Sequence, residues 1–134
     1  MIVVDTNVIC YRWIPSPNSA TADAALARDP HWIAPLLWRS EFRNVLALAM
    51  RKKAITIDAA REIVRKAEAR FEGDEFAVSS EAVLELVARS NCTAYDCEFV
   101  ALAYAEQVPL LTTDRQILQE FPEIAISLEQ FVRE

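Results

Sequence analysis

Short apolar runs alternate along the chain with longer stretches in which apolar residues recur every three or four positions. A short run is typical of a buried strand, and the longer periodicity is typical of a helix packed on one side. Strands are predicted at residues 2–4, 31–34, 76–78, 108–111 and 124–126. Helices are predicted at residues 7–14, 19–28, 35–53, 58–71, 80–88, 93–106 and 114–120, and from 127 onwards. This alternation predicts one α/β domain over residues 1–134, with a mostly parallel sheet.

Several predicted helices begin at residues that commonly start helices. Pro35 is predicted to open the longest one, because a first turn does not need the N–H group that proline lacks. A hydroxyl side chain before a helix accepts a hydrogen bond from a free N–H group of the first turn. Residues of this kind stand at four further helix starts: Thr56, Ser80, Thr93 and Ser127. The helix boundaries therefore depend on local chemistry as well as on periodicity.

Composition excludes several common enzyme classes. The chain has one glycine, Gly73, whereas a P-loop, a dinucleotide-binding fingerprint and a nucleophile elbow each need several. Its one histidine, His31, excludes an HExxH zinc site and disfavours a Ser-His-Asp triad. Three cysteines without a CxxC spacing indicate free thiols in a reducing compartment. No signal peptide and no membrane-spanning apolar run is recognisable, so we expect a cytoplasmic protein.

Charge is distributed unevenly, although the chain carries a formal net charge of −6. Residues 39–70 contain nine basic and four acidic side chains, whereas residues 71–134 contain three basic and thirteen acidic ones. The basic segment is either a flank that binds phosphate groups or a set of solvated helix faces. Charge by itself leaves both interpretations open.

Two acids directly follow predicted strands. Asp5 comes after the first strand, and Asp114 follows the fourth strand after two threonines. Because the carboxyl ends of parallel strands meet at one edge of a sheet, we expect both side chains there. Each acid is equally well placed to cap the helix that follows it, so neither indicates a site by itself.

Two further acids lie on the apolar faces of predicted helices. Glu41 comes four residues after Leu37 and four before Val45, and an ionised carboxylate on such a face is costly without a partner or a metal. Asp96 lies on the inner face of a later helix. Together with Thr93 it also matches a capping box, and the two roles are compatible.

The four acids Asp5, Glu41, Asp96 and Asp114 together predict a cation site. Carboxylates gathered in one crevice repel one another at pH 7 unless protons or a cation neutralise them. Oxygen ligands favour Mg²⁺ or Mn²⁺ over Zn²⁺. Mg²⁺ held by a few carboxylates retains water, which is a nucleophile for phosphodiester hydrolysis. The sequence leaves open whether one ion or two would bind.

Four short segments of the chain are distinctive: VDTNVI at residues 4–9, SEFRNVL at 40–46, YDCEFVALA at 95–103 and LTTDR at 111–115. In this order and spacing, over essentially the whole chain, they are similar to PIN-domain ribonucleases, and in particular to VapC-type toxins of toxin–antitoxin pairs. The resemblance implies the PIN fold, a three-layer sandwich in which a twisted parallel sheet is flanked by helices and acids meet at one edge.

The resemblance also implies an activity, which is endonucleolytic cleavage of RNA with Mg²⁺ or Mn²⁺ and water as the nucleophile. It implies that Asp5, Glu41 and Asp96 are catalytic and bind the metal, with Asp114 as the fourth such acid. The implied partners are the RNA substrate, a cognate antitoxin protein and a second copy of the chain in a homodimer.

The resemblance further implies polar neighbours that orient the acids, water or substrate, namely Thr6, Asn7 and Thr112. Arg39 and Arg43 flank the acid of the long helix. We expect these two guanidinium groups to hold substrate phosphates close to the metal.

Three other functions fit the sequence less well than a nuclease does. A catalytically silent PIN-like module that acts only through a protein partner is disfavoured because all four acids are present. A phosphoacceptor receiver domain needs an adjacent acidic pair and a late lysine, but Thr6 follows Asp5 and the last lysine is Lys66. A haloacid-dehalogenase-like phosphatase needs Asp-x-Asp, and Asn7 occupies the second position.

Overall fold

Five short strands form one all-parallel sheet in the computed structural model, which describes residues 1–134. The strands are β1 (Ile2–Val4), β2 (Trp32–Pro35), β3 (Glu75–Phe76), β4 (Leu110–Thr112) and β5 (Ala125–Ser127). Their order across the sheet is β3-β2-β1-β4-β5, which places β1 at the centre. The predicted α/β class and parallel sheet are therefore confirmed, and no antiparallel strand is present.

Eight helices connect the strands and flank the sheet. They are α1 (Thr6–Trp13), α2 (Ser19–Arg28), α3 (Trp38–Arg51), α4 (Ile57–Arg70), α5 (Ser80–Ala88), α6 (Ala94–Glu106), α7 (Arg115–Glu120) and α8 (Leu128–Arg133). Helix α6 packs against β1, β2 and β4, whereas α1 packs against α2, α3 and α4. None of the helices has both the length and the hydropathy needed to span a membrane.

The central strand β1 consists of three fully buried β-branched residues, as suits a strand covered on both faces. The backbone N–H of Asp5 continues its ladder by donating to the carbonyl oxygen of Leu111 on β4, at 3.0 Å. The edge strands β3 and β5 are only partly buried. The first residue after β1 is thereby held between neighbouring strands at the carboxyl edge of the sheet.

Three of the predicted helix caps are confirmed. The hydroxyl groups of Thr56, Thr93 and Ser127 accept hydrogen bonds from first-turn N–H groups. The prediction for α5 is wrong by one residue, because Ser79 is the cap and Ser80 is the first helical residue. Ser79 has an extended backbone, which allows its side chain to reach back to the N–H group of Ala82.

The prediction that Pro35 opens a helix is wrong, since Pro35 is the last residue of β2 and α3 begins at Trp38. Strand β2 bonds to β3 through the N–H groups of Ala34 and Leu36, which donate to backbone carbonyls at 3.1 and 3.0 Å. The pairing of β2 with β1 ends at Ile33, so the sheet needs no N–H group from position 35. Proline is tolerated in a strand at such a position.

A cluster of aromatic rings fixes α1 and α3 relative to the sheet. Trp13 at the end of α1 packs edge-on against Trp32 of β2, with ring centroids 6.1 Å apart. Trp38 at the start of α3 packs against Phe71 at 4.8 Å and against Phe42 at 5.4 Å. Because these large side chains lock the helices in place, the first turns of α1 and α3 are held at the same edge of the sheet.

Candidate active site

Asp5 lies at the carboxyl end of β1, where it also caps α1. It is 8% exposed and accepts two hydrogen bonds, from the backbone N–H of Thr6 to Oδ1 at 2.8 Å and from Oγ1 of Thr112 to Oδ2 at 2.7 Å. Burial raises the pKa of Asp5 to about 6, against the lowering effect of these hydrogen bonds and with a further rise from the charges of Glu41 and Asp96. The carboxyl group thus keeps its proton to a higher pH than an exposed aspartate does.

Glu41 reaches the same edge from the first turn of α3. It accepts a hydrogen bond from Oγ1 of Thr6 at 2.6 Å, which ties α1 to α3 across the site. Burial raises the pKa of Glu41, the hydrogen bond from Thr6 lowers it, and the charge of Asp96 raises it. One threonine hydroxyl therefore offsets part of the cost of placing this carboxylate beside the core.

Asp96 lies in the first turn of α6, and its backbone N–H donates to Oγ1 of Thr93 at 3.0 Å. Burial raises the pKa of Asp96, hydrogen bonding with Thr93 opposes this, and the charge of Asp114 raises the pKa further. The cap and the proximity to other acids occur together, as the sequence had suggested. Asp96 is therefore both a part of the helix start and a member of the acidic group.

Asp114 caps α7, because its Oδ1 accepts a hydrogen bond from the N–H of Ile117 at 3.0 Å. Its own N–H donates to Oγ1 of Thr112 at 3.0 Å. Thr112 therefore donates to Asp5 and accepts from Asp114, and so connects two of the acids. The capping role predicted for Asp114 is confirmed, and it engages only one of the two carboxylate oxygens.

All four predicted acids line one cavity of about 250 Å³. Its wall contains a single hydrophobic residue and no lysine, arginine or histidine. The lining residues are Asp5, Thr6, Asn7, Glu41, Asn44, Val45, Asp96 and Asp114. Three of the acids have a raised pKa, as is expected for carboxylates that share a partly buried space without a compensating cation.

The donors of this cavity fit a hard divalent cation. Carboxylate, amide and hydroxyl oxygens are the ligands that Mg²⁺ and Mn²⁺ prefer, and the cavity offers neither a thiol nor an imidazole. In the side-chain positions of the structure, no three His, Cys, Asp or Glu residues converge closely enough to enclose an ion. A Mg²⁺ ion that keeps several water ligands needs only one or two direct carboxylate contacts.

The two arginines predicted to bind substrate phosphates do not line the cavity. Arg39 forms a two-pronged ion pair with Glu75, with N–O distances of 2.6 and 2.8 Å, and lies 3.2 Å from Glu68. Arg43 is 59% exposed and lies 3.9 Å from Glu68. Arg39 thus joins α3 to β3 and α4, whereas the guanidinium of Arg43 is largely open to solvent.

Two polar residues near the acids, Asn44 and Glu98, are not predicted as site residues by the sequence. Asn44 lines the cavity, and its position three residues after Glu41 on α3 was a periodicity signal that could have found it. Glu98 lies close enough to Glu41 for that charge to raise its pKa, after the larger effect of burial. Glu98 follows Asp96 by two residues, a spacing that gives no hint of a shared site.

An acid-lined cavity thus lies at the carboxyl edge of a five-stranded parallel sheet. The family model described as PIN domain matches residues 2–124, and the chain belongs to this family. The resemblance drawn from four short segments is thereby confirmed.

Individual relatives agree with this assignment. The chain is 27% identical over 124 residues to Ribonuclease VapC3 from Pyrobaculum aerophilum, covering 90% of this chain and 95% of that protein. The crystal structure of PAE2754 from the same organism matches with a TM-score of 0.78 at 20% identity, covering 98% and 93% of the two chains. A toxin–antitoxin complex from Klebsiella pneumoniae matches with a TM-score of 0.71 at 14% identity, covering 96% and 98%. The two structures confirm the PIN-like fold.

Proposed function

We propose that this protein is a metal-dependent endoribonuclease that hydrolyses RNA phosphodiester bonds as the toxin of a toxin–antitoxin pair. The observation that carries the proposal is the cavity in which Asp5, Glu41, Asp96 and Asp114, from four separate parts of the chain, meet without a basic side chain. Membership of the PIN domain family and similarity to a protein named Ribonuclease VapC3 support it.

The four acids would hold Mg²⁺ or Mn²⁺ in this cavity. The ion, when bound, supplies positive charge that polarises a phosphate oxygen and lowers the pKa of water. Thr112 and Thr6 orient two of the acids by donating hydrogen bonds to Asp5 and Glu41. Glu41 keeps one carboxylate oxygen without a donor, whereas each oxygen of Asp5 accepts one hydrogen bond and retains a second lone pair for a cation.

The polar wall of the cavity would position the substrate. Asn7 and Asn44 line it, and their amide N–H groups can donate to the oxygens of an RNA phosphate. Arg43 is exposed on the same helix as Asn44 and would contribute attraction to neighbouring phosphates. Arg39 forms ion pairs with the carboxylates of Glu68 and Glu75, so we propose that it contributes more to the stability of the fold than to substrate binding.

The proposed partners follow from the same assignment. The likeness to a solved toxin–antitoxin complex supports a protein antitoxin as the inhibitor of this chain, and we propose a homodimer as its assembly. The three cysteines are unpaired and buried, in keeping with the cytoplasmic location that we propose.

Two measurements test the proposal: the dependence of RNA cleavage on a divalent metal, and the effect of substituting Asp5. The purified protein should cleave single-stranded RNA with Mg²⁺ or Mn²⁺, stop when EDTA is added, and leave 5′-phosphate and 3′-hydroxyl ends. Removal of a group that supports a metal ligand lowers activity by about 10- to 100-fold. Asp5→Asn should lower activity by more than this, because Asp5 is itself a proposed ligand.

Asp58→Asn is the matched control for this experiment, because Asp58 is 88% exposed on α4 and does not line the cavity. It should retain full activity. Cleavage that persists in EDTA, or an Asp5→Asn variant as active as the control, would contradict the proposed function. Binding of a protein partner without any metal-dependent cleavage would identify the chain as a catalytically silent module.

A further inference from the structure

The loop between α5 and α6 is tied to α7 through Asn91. The backbone N–H of Asn91 donates to Oε2 of Glu120 at 3.1 Å, and its side-chain Nδ2 donates to Oε1 of the same carboxylate at 3.4 Å. The carbonyl oxygen of Asn91 accepts a hydrogen bond from Nε2 of Gln116 at 3.0 Å. Gln116 and Glu120 lie one turn apart on α7 and share one face of that helix. The three residues form the Asn91 clamp, which fastens both backbone polar groups of one loop residue to a single helix.

The Asn91 clamp joins the two helix starts that carry Asp96 and Asp114. Thr93, which follows Asn91 closely in the chain, caps α6 by accepting the backbone N–H of Asp96 at 3.0 Å. Asp114 itself caps α7 by accepting the N–H of Ile117 at 3.0 Å. Each acid is therefore fixed to the start of its own helix, and the clamp fixes those two starts to each other. Because both acids line the same cavity, the clamp influences the distance between them.

Other contacts between these parts of the chain involve residues further in sequence from the acids. Helix α7 packs mainly against β5 rather than against α6. The guanidinium of Arg89 lies over the ring of Phe121 at 5.7 Å, and Tyr104 donates a hydrogen bond to Glu123. Tyr104 lies about two turns beyond Asp96 on α6, which is about 12 Å along the helix axis. The Asn91 clamp is thus the connection between the start of α6 and α7 that is closest in sequence to both acids.

We propose that the Asn91 clamp positions Asp96 and Asp114 at the separation that Mg²⁺ requires, and so makes the acid-lined cavity selective for Mg²⁺ over Ca²⁺. The inference rests on the proposed function, because it concerns the cation that the four acids would bind. Mg²⁺ demands near-octahedral oxygen ligands at about 2.0–2.1 Å, whereas Ca²⁺ accepts varied geometries at about 2.3–2.6 Å. A rigid spacing between two carboxylates therefore favours the smaller ion, and a loosened spacing lets Ca²⁺ compete. The clamp residues do not line the cavity, so they would act only through the two acids.

The exposure of the clamp separates an effect on the cation from an effect on folding. All three hydrogen bonds are exposed to solvent, and Asn91 itself is an exposed residue. Such bonds add little to global stability, because water replaces them when they break. Loss of the clamp should therefore change the selectivity for the ion and leave the fold intact.

Calorimetric titration with Mg²⁺ and, separately, with Ca²⁺ tests the inference on the wild type, Gln116→Ala and Gln119→Ala. Gln119 is the matched control, because it is an exposed glutamine on α7 that takes no part in the hydrogen bonds to Asn91. Gln116→Ala should weaken Mg²⁺ binding by about 10-fold, the lower end of the effect of removing a group that supports a metal ligand. It should weaken Ca²⁺ binding by less than about 2-fold, because a flexible site still accommodates the larger ion. Gln119→Ala should bind both ions as the wild type does.

Substitution of Asp114 tests whether the clamp acts through the spacing of the two acids. Asp114→Asn still caps α7, because asparagine is a good helix cap, but its neutral amide no longer supplies a charged ligand. In this background Gln116→Ala should weaken Mg²⁺ binding by less than about a further 2-fold, because the spacing that it controls has lost one member. Equal losses in both backgrounds, or equal losses for Mg²⁺ and Ca²⁺, would indicate a generally destabilised protein and would overturn the inference.

The outcomes distinguish this inference from the function on which it rests. Metal-dependent RNA cleavage by the wild type, with the same ratio of Mg²⁺ to Ca²⁺ affinity in Gln116→Ala and Gln119→Ala, would overturn the clamp and leave the nuclease intact. Mg²⁺ binding without RNA cleavage would overturn the proposed function, and the affinity ratios would still decide the role of the clamp. Absence of Mg²⁺ binding by the wild type would overturn both.

Discussion

Thr112 donates a hydrogen bond from Oγ1 to Oδ2 of Asp5 at 2.7 Å, although the two residues are 107 positions apart in the chain. The contact exists because β1 and β4 are neighbours in the sheet and both end at the carboxyl edge. The same hydroxyl accepts the N–H of Asp114 at 3.0 Å. One side chain therefore fixes the positions of two acids of the proposed metal site.

Thr112→Val keeps the shape of the side chain and removes this hydroxyl. We expect the pKa of Asp5 to rise above its value of about 6, because a hydrogen bond that favours the ionised form is lost. Nuclease activity should fall by about 10- to 100-fold, and its rise with pH should move to higher pH. A pH profile of kcat/KM measures both effects.

Thr113→Val is the natural control for that change, because the bond to Asp5 comes from Thr112 and not from its neighbour. Its profile should match that of the wild type. If Thr112→Val shifted the pH profile no more than Thr113→Val does, the hydroxyl of Thr112 would not affect the pKa of Asp5.

Stability should depend on pH through Asp5 when no metal is present. The pKa of Asp5 is raised from 3.8 to about 6 in the folded protein, so between these values the folded state holds more protons than the unfolded chain. The free energy of unfolding should then decrease as pH rises through this window, by up to about 3 kcal/mol from this group. Asp5→Asn should remove this part of the decrease.

Urea denaturation in EDTA at several pH values measures this effect. Above the window, Asp5→Asn should be more stable than the wild type, whereas Asp58→Asn should resemble the wild type at every pH. An Asp5→Asn variant that is less stable than the wild type above this pH range would show that the charge of Asp5 does not destabilise the metal-free protein.

A divalent cation should reverse that loss of stability. A ligand that binds only the folded state stabilises it by about 2.7 kcal/mol at 100 times its dissociation constant. Mg²⁺ or Mn²⁺ should therefore raise the Tm of the wild type in a thermal denaturation assay. The Tm of Asp5→Asn should respond much less, and equal shifts for the two proteins would place the ion outside the acid-lined cavity.

Arg39 and Arg43 should behave differently although they lie one turn apart on α3. Arg39→Ala leaves Glu75 without its two-pronged partner and should lower stability by about 1–2 kcal/mol, measured by chemical denaturation. Arg43→Ala should leave stability nearly unchanged, weaken RNA binding and reduce the dependence of binding on salt. If RNA binding by Arg43→Ala had the same salt dependence as binding by the wild type, Arg43 would not contact the phosphates of the RNA.

Local chemistry explains why much of the fold was predictable. The apolar run at 2–4 predicted a buried strand, and hydroxyl residues such as Thr56 and Thr93 predicted helix starts, because each signal acts within a few residues. Pro35 was wrongly predicted to open a helix, because its place in the fold depends on how β2 pairs with the strands on either side of it. Its missing N–H group is tolerated in β2 only where pairing with β1 has already ended.

The sequence by itself determined which chemical groups are available: Asp5 after a strand, Glu41 on an apolar helix face, Asp96 in a capping box and Asp114 before a short helix. The positions of Asp5 and Asp114 directly after predicted strands predicted a shared edge of the sheet for these two acids. Only the tertiary structure decided which group each side chain contacts, as with Thr112 beside Asp5. It likewise placed Arg39 on Glu75 and Glu98 near Glu41. These partners are brought together by strand order and helix packing, which act over distances in the chain that no local periodicity records.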